Sequence, residues 1–152
     1  VVRDSPLPLK VKRLHPSAVV PRYARAGDAG LDVASVESLT LAPLERAAVR
    51  TGIALELPPG SLGFVLPRSG RALREGLTLS NSPGLIDAGY RGELLVAVVN
   101  LGSAPVSIAE GDRIAQLLVL TTPALEVVEV TELSPSERGD GGFGHTGRSV
   151  LY

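Results

Sequence analysis

Between Arg46 and Leu57, residues suited to a buried face recur at every second position, as Val49, Thr51, Ile53, Leu55 and Leu57. No stretch of comparable length sustains the three-to-four spacing of an amphipathic helix. A period of two sends alternate side chains to opposite faces of an extended chain, so this stretch predicts a half-buried β-strand. Similar short runs lie at Leu9 to Leu14, Leu31 to Val36, Leu62 to Leu66, Leu77 to Asn81, Glu93 to Asn100, Arg113 to Leu120 and Leu125 to Val130. Turn chemistry separates them, as Pro58-Pro59-Gly60, Ser82-Pro83-Gly84, Leu101-Gly102-Ser103 and Glu110-Gly111-Asp112. Many short strands jointed by proline and glycine, without alternating helices, predict an all-β fold: a distorted jelly-roll or β-sandwich-like barrel. One short helix is expected, from about Gly70 to Arg74.

The alternation fails after Pro135, and Ser134 to Tyr152 is polar and glycine-rich, with little of its own to bury. The expected organisation is a β-barrel body over residues 1–133 and a flexible C-terminal arm over residues 134–152, within one domain. The length of 152 residues fits a single core. A net charge of -1 provides no long-range field to gather nucleic acid or an anionic membrane, so any phosphate binding has to be local. The chain has no cysteine and only two histidines, His15 and His145, which argues against a zinc site. No apolar run reaches the roughly 18 residues that span a bilayer, so a cytoplasmic protein without membrane or nucleic-acid partners is expected. A hydrophobic share of 44% is high for a small monomer and suggests a homo-oligomer.

The segment Gly84-Leu85-Ile86-Asp87-Ala88-Gly89-Tyr90-Arg91-Gly92-Glu93 follows the strand predicted to end at Asn81. It reads as a hairpin with Asp87 just before a tight turn. A carboxylate fixed there can take a proton from a water aimed at an electrophile, although an Asp beside Ala-Gly also reads as a simple turn cap. Pro67-Arg68-Ser69-Gly70 joins a strand end to the helix start, where a guanidinium, a hydroxyl and unpaired amides suit phosphate. A solvated arginine before an ordinary helix start would look the same. Near the C-terminus, Arg138-Gly139-Asp140-Gly141-Gly142-Phe143-Gly144-His145-Thr146-Gly147 contains G-x-G-x-x-G, but the strand and helix that give that motif its dinucleotide role are missing. Its glycines still expose amides to phosphate. Phe143 has nothing nearby to bury it, so it suits stacking on a base or docking on another subunit. Ala29-Gly30-Leu31-Asp32-Val33 and Gly111-Asp112-Arg113-Ile114-Ala115-Gln116-Leu117 each read alone as turn plus strand.

In this order and with these gaps, the five segments resemble the five motifs of the trimeric all-β deoxyuridine triphosphatase (dUTPase) family, over roughly Ala29 to Gly147. The resemblance implies hydrolysis of dUTP to dUMP and pyrophosphate, limiting uracil in DNA and supplying dUMP for thymidylate synthesis. It makes Asp87 the base for a water attacking the α-phosphorus. Tyr90 would lie under the deoxyribose, leaving no room for a 2′-hydroxyl. Uracil would be read by backbone groups around Asn81, Gly84 and Ile86. Arg68, Ser69, Gly70 and Gln116 would hold phosphates, while Arg138, Phe143, His145, Thr146 and Gly147 would close the site from the arm. Asp32 would orient waters on a Mg2+ carried mainly by the triphosphate. The resemblance further implies a homotrimer with sites between subunits and an arm supplied by another chain.

Two positions depart from the family pattern. His145 stands where serine is usual, and Arg71 where an apolar residue is usual; alternating charge and alanine around Arg71 predicts that it points to solvent. Two other functions fit parts of the sequence. A dCTP deaminase-like enzyme would share the fold, but its pattern usually has a tryptophan near Tyr90 and this chain has none. A non-catalytic trimeric nucleotide-binding protein would have no need of Asp87.

Overall fold

The computed structural model describes residues 6–141. Ten strands and one helix lie among them: β1 (Lys10–Arg13), β2 (Leu31–Ala34), β3 (Leu39–Leu41), β4 (Arg46–Glu56), β5 (Ser61–Pro67), α1 (Ser69–Glu75), β6 (Leu77–Leu79), β7 (Gly84–Ile86), β8 (Glu93–Asn100), β9 (Val106–Ile108) and β10 (Arg113–Thr121). Every pairing is antiparallel. One sheet has the order β1-β4-β8-β6, a second β2-β10-β5-β7, and β3 pairs with β9 as a small third. The all-β, jelly-roll-like expectation therefore holds, with its single short helix. No helix among the described residues is long and apolar enough to cross a membrane.

The period-two pattern does the folding work it promised. Val49, Ile53, Leu55 and Leu57 of the β4 region are buried together with Val96 and Val98 of β8 and Ile114 and Leu117 of β10 in one cluster between the sheets. Strict alternation breaks once. The β4–β8 register shifts between Arg50 and Ala54, and residues 51–55 are all buried. Gly52 makes this irregularity possible: its φ is +65°, and a β-carbon there would sit 2.8 Å from Val36 and 2.7 Å from His15. Glu93 fastens it, accepting from the Gly52 N–H at 2.9 Å and from Arg50 Nε at 3.2 Å. A second device ties the sheets together. Fully buried Asn100 donates to the carbonyls of Leu41 at 3.0 Å and Ala104 at 2.8 Å, and accepts from the Gly102 N–H at 2.8 Å. All its amide chemistry is thereby used between β3 and the β8–β9 connection.

The structure corrects three expectations. Leu125 to Val130 forms no strand, and Leu125 and Val127 are 83% and 95% exposed. Alternation makes a strand only where a neighbouring edge accepts its hydrogen bonds, and among the described residues this segment pairs with none. Conversely β3, β7 and β9 have three residues each, too few for alternation to reveal. The segment around Asp87 is not a hairpin either. β7 pairs with β5, while β8 pairs with β4 and β6, so the turn carries the chain from one sheet to the other. Turn residues specify a tight reversal without specifying whether the flanking strands pair.

Candidate active site

Helix α1 begins where β5 ends, with Arg68 as its extended N-cap and no side-chain cap. Its first residues line a cavity of about 450 Å³ together with Gly30, Asp32, Arg74, Arg113 and Gln116. Asp32 is gripped from two sides, by Arg68 Nε at 3.2 Å and by Arg113 Nη1 at 2.9 Å. Asp32 is 18% exposed and Arg68 28%, so this pair is screened less than an ordinary surface pair. Gln116 donates to the Pro67 carbonyl at 2.9 Å, which turns its carbonyl oxygen toward Gly30. A β-carbon at Gly30 would lie 2.6 Å from that oxygen, so any larger residue there would push the Gln116 amide aside. Gly70 makes similar room for the Arg74 guanidinium, 3.1 Å from where its β-carbon would be. Four guanidinium groups against the carboxylates of Asp28 and Asp32 leave the cavity cationic. It suits a polyanion with several negative oxygens.

A second, smaller cavity of about 200 Å³ is lined by Asn81, Gly84, Ile86, Asp87, Tyr90 and the apolar side chains of β8 among others. The Asp87 carboxylate is exposed and has no ion-pair or hydrogen-bond partner among the described residues. Its backbone is nonetheless fixed. The Tyr90 N–H donates to the Asp87 carbonyl at 3.0 Å, and Arg91 Nη1 braces the turn through the carbonyls of Ala88 at 2.7 Å and Tyr90 at 2.9 Å. Tyr90 donates its hydroxyl to the Glu93 carbonyl at 2.9 Å, folding its ring back over Gly92. A β-carbon at Gly92 would lie 2.4 Å from that hydroxyl. The ring position therefore depends on glycine.

Asp32, Arg68, Ser69, Gly70 and Gln116 thus come together, as do Asn81, Gly84, Ile86, Asp87 and Tyr90, but none of the described residues lines both cavities. Arg138 joins neither; it lies in a turn and donates to the Gly141 carbonyl at 2.9 Å. Phe143, His145, Thr146 and Gly147 lie outside the described residues. Arg71 departs from its expected solvent position, being only 12% exposed and paired with Glu75 and Asp112. Charge and alanine spacing along seven residues could not show that a turn distant in sequence offers it carboxylates. Arg113 and Arg74 are site residues that sequence reasoning passed over. The Gly-Asp-Arg turn was in view, but only the β2–β10 register places Arg113 beside Asp32.

A cationic, glycine-lined pocket and a small pocket bearing a fixed carboxylate, on antiparallel sheets, suit a nucleotide hydrolase of the all-β type. The dUTPase family model matches residues 17–147. A deoxyuridine 5′-triphosphate nucleotidohydrolase of Thermobifida fusca is 54% identical over 140 residues, covering 91% of this chain and 78% of the relative. Among solved structures, a dUTPase mutant of Staphylococcus bacteriophage 80alpha with dUpNHpp superposes with a TM-score of 0.88 at 31% identity, covering 93% of this chain and 99% of that one. A mutant dUTPase from phage phi11 of S. aureus, described with a structural Mg(II) ion, gives 0.79 at 28% identity, covering 85% and 100%. The chain belongs to the dUTPase family. Its reaction is the hydrolysis of dUTP to dUMP.

Proposed function

We propose that this hydrolysis is carried out by water activated at Asp87, in sites assembled from more than one copy of the chain. The observation that carries the reading is the division of the chemistry between two cavities: the Asp87 carboxylate lies in one, the guanidinium groups in the other, and they share none of the described residues. A nucleoside triphosphate needs both at once. A second copy, presenting its Asp87 cavity to the Arg68 cavity of the first, would supply them together. Exposed Leu125, Val127, Val128 and Leu133 supply apolar surface for such an association, and a homotrimer is the closed arrangement we favour.

In this reading the Asp87 carboxylate removes a proton from a water as its oxygen attacks the α-phosphorus. The bond from that phosphorus to the α,β-bridging oxygen breaks, and pyrophosphate leaves opposite the entering water. Arg68, Ser69, the amides at Gly70 and Gln116 hold the leaving phosphates, where fixed donors stabilise charge as it develops. Asn81, Gly84 and Ile86 edge the uracil, and the Tyr90 ring packs against the deoxyribose. Arg138, Phe143, His145, Thr146 and Gly147 close the site from the arm of a further copy. A cytoplasmic location, where deoxynucleotides are made and used, suits this reaction.

The residues present fit magnesium only as an ion carried by its substrate. Among the described residues no three His, Asp or Glu side chains form a cage, and Asp32 already faces two arginines. Asp32 can then hold waters of such an ion, which keeps several waters and binds phosphate oxygens. When bound it supplies neutralisation of the triphosphate.

Mixing two inactive variants tests the shared site. Asp87→Asn removes the base and Arg68→Gln weakens the phosphate pocket, each in every site of its own oligomer. Unfolding and refolding the two together should restore pyrophosphate release, because some mixed sites receive neither change. No recovery in demonstrably mixed oligomers would mean that each chain builds its own site.

A further inference from the structure

Arg71 occupies an unusual place in the cationic cavity. It lies on α1 facing inward, yet its guanidinium is bound to protein groups. Nε and Nη2 donate to Glu75 at 2.9 and 2.7 Å, and Nη2 also donates to the Ser107 carbonyl at 2.8 Å. Nη1 stands 3.5 Å from Asp112 Oδ2. Glu75 belongs to α1 itself, whereas Ser107 lies in β9 and Asp112 in the β9–β10 turn. Asp112 is held in turn, its carboxylate accepting from the Ala109 N–H at 3.1 Å and its carbonyl from the Ser35 N–H at 2.9 Å. The residue after it is Arg113, which grips Asp32.

Two braces therefore cross between the helix wall and the turn wall of the cavity. One runs Arg68–Asp32–Arg113 and is made of groups that the proposed phosphate site has to use. When Arg68 turns to a phosphate, that brace opens. The other runs Glu75–Arg71–Ser107 and Asp112, and all three guanidinium nitrogens in it already meet protein acceptors. We infer that Arg71 is a positioning residue: it ties α1 to β9 and the β9–β10 turn, and so fixes the spacing of the phosphate-binding groups while the Asp32 brace is released. Its fork geometry matters, since one side chain reaches three acceptors, in α1, in β9 and in the β9–β10 turn. The inference rests on the reading that the triphosphate occupies this cavity.

The test uses the full chain with Mg2+ and three variants, Arg71→Ala, Arg71→Lys and Arg68→Gln. Steady-state kinetics with dUTP would be joined by binding of a non-hydrolysable α,β-imido analogue and of dUMP. For Arg71→Ala, KM and the analogue's Kd should rise about tenfold as the walls lose their spacing, while kcat stays within about twofold. The Kd for dUMP, which lacks the β- and γ-phosphates, should hold. Arg71→Lys should recover part of the loss, because an ammonium reaches one acceptor of the three. If Arg71→Ala does not fold, Arg71→Lys carries the test, with a rise of about threefold in the analogue's Kd and none for dUMP. Equal changes for the analogue and dUMP, or no change in a folded variant, would overturn the inference. Arg68→Gln separates the two levels. If it also leaves analogue binding intact, the triphosphate lies elsewhere and the underlying reading fails; if it alone weakens binding, only the role of Arg71 fails.

Discussion

The two cavities of this chain are built on opposite plans. Around Asp32 the charged groups are satisfied by one another: Arg68 and Arg113 hold Asp32, and Arg71 is held by Glu75, Ser107 and Asp112. Around Asp87 the carboxylate has no partner among the described residues, while the backbone beneath it is pinned through Arg91 and the Asp87–Tyr90 turn. The difference matches what the proposed function asks of each. Groups that hold a polyanion gain from being placed in advance, because little reorganisation remains when the ligand arrives. A general base needs its oxygens free, and only its position fixed.

The sharpest way to break this comparison is to remove the basicity of the free carboxylate while keeping its shape. Asp87→Asn should lower kcat by about 10²–10⁴-fold, the range general-base assistance contributes, with little change in dUTP affinity. Single-turnover kinetics together with binding of the imido analogue would measure both. A fall in affinity as large as the fall in kcat would show Asp87 to be a binding group, and the contrast between the cavities would collapse.

A smaller effect should follow from crowding the pinned floor. In Gly92→Ala the new methyl group meets the Tyr90 hydroxyl, whose bond to the Glu93 carbonyl must lengthen or break. The ring that the proposed site packs against the sugar is then displaced, and discrimination between dUTP and UTP should fall by about tenfold, a loss on the scale of one misplaced contact. The ratio of kcat/KM for the two nucleotides reports it. An unchanged ratio would mean that the ring position does not depend on Gly92. Tyr90→Ala, by comparison, asks whether the ring discriminates at all.

How far these cavities could be read from sequence divides along the same line. The Asp87 cavity was largely legible, because all of its lining residues but Val65 come from one stretch, Leu79 to Ala97, whose turn chemistry and alternation are local. What was not legible was its topology: the chain crosses between sheets there, and the choice of β5 as the partner of β7 rests on packing of the whole core. The cationic cavity was legible only as fragments. Gly30, Asp32, Arg68 and Gln116 each sat in a segment worth noting, but pairing of β10 with both β2 and β5 is what brings them together. Arg71 was misread for that reason. Its neighbours in sequence suggested solvent, and its partners Ser107 and Asp112 lie over thirty positions away. The five-motif resemblance succeeded where local reading stopped because order and spacing carry the fold's long-range pairing implicitly.

The smallest expected effect comes from a pair that resembles the Asp32 cluster in chemistry but not in setting. Lys10 on edge strand β1 contacts Glu56 at 2.7 Å with both side chains well exposed, 68% and 42%. The hydrogen bond from Lys10 and its charge, with a lesser contribution from Arg91, hold the Glu56 carboxyl below its ordinary value. A carboxyl lowered in the folded state adds stability above its unfolded pKa, and that contribution fades as pH falls through the folded pKa. Glu56→Gln should therefore lower Tm slightly at pH 7 and not at all in acid below the folded pKa, with salt shrinking the difference. Turnover should be unchanged, since Glu56 lines neither cavity. Thermal melts at both pH values, with and without added salt, would check this. A large loss at pH 7 would mean that exposure does not separate this pair from the Asp32 cluster, and that the cationic cavity owes its firmness to something other than partial burial.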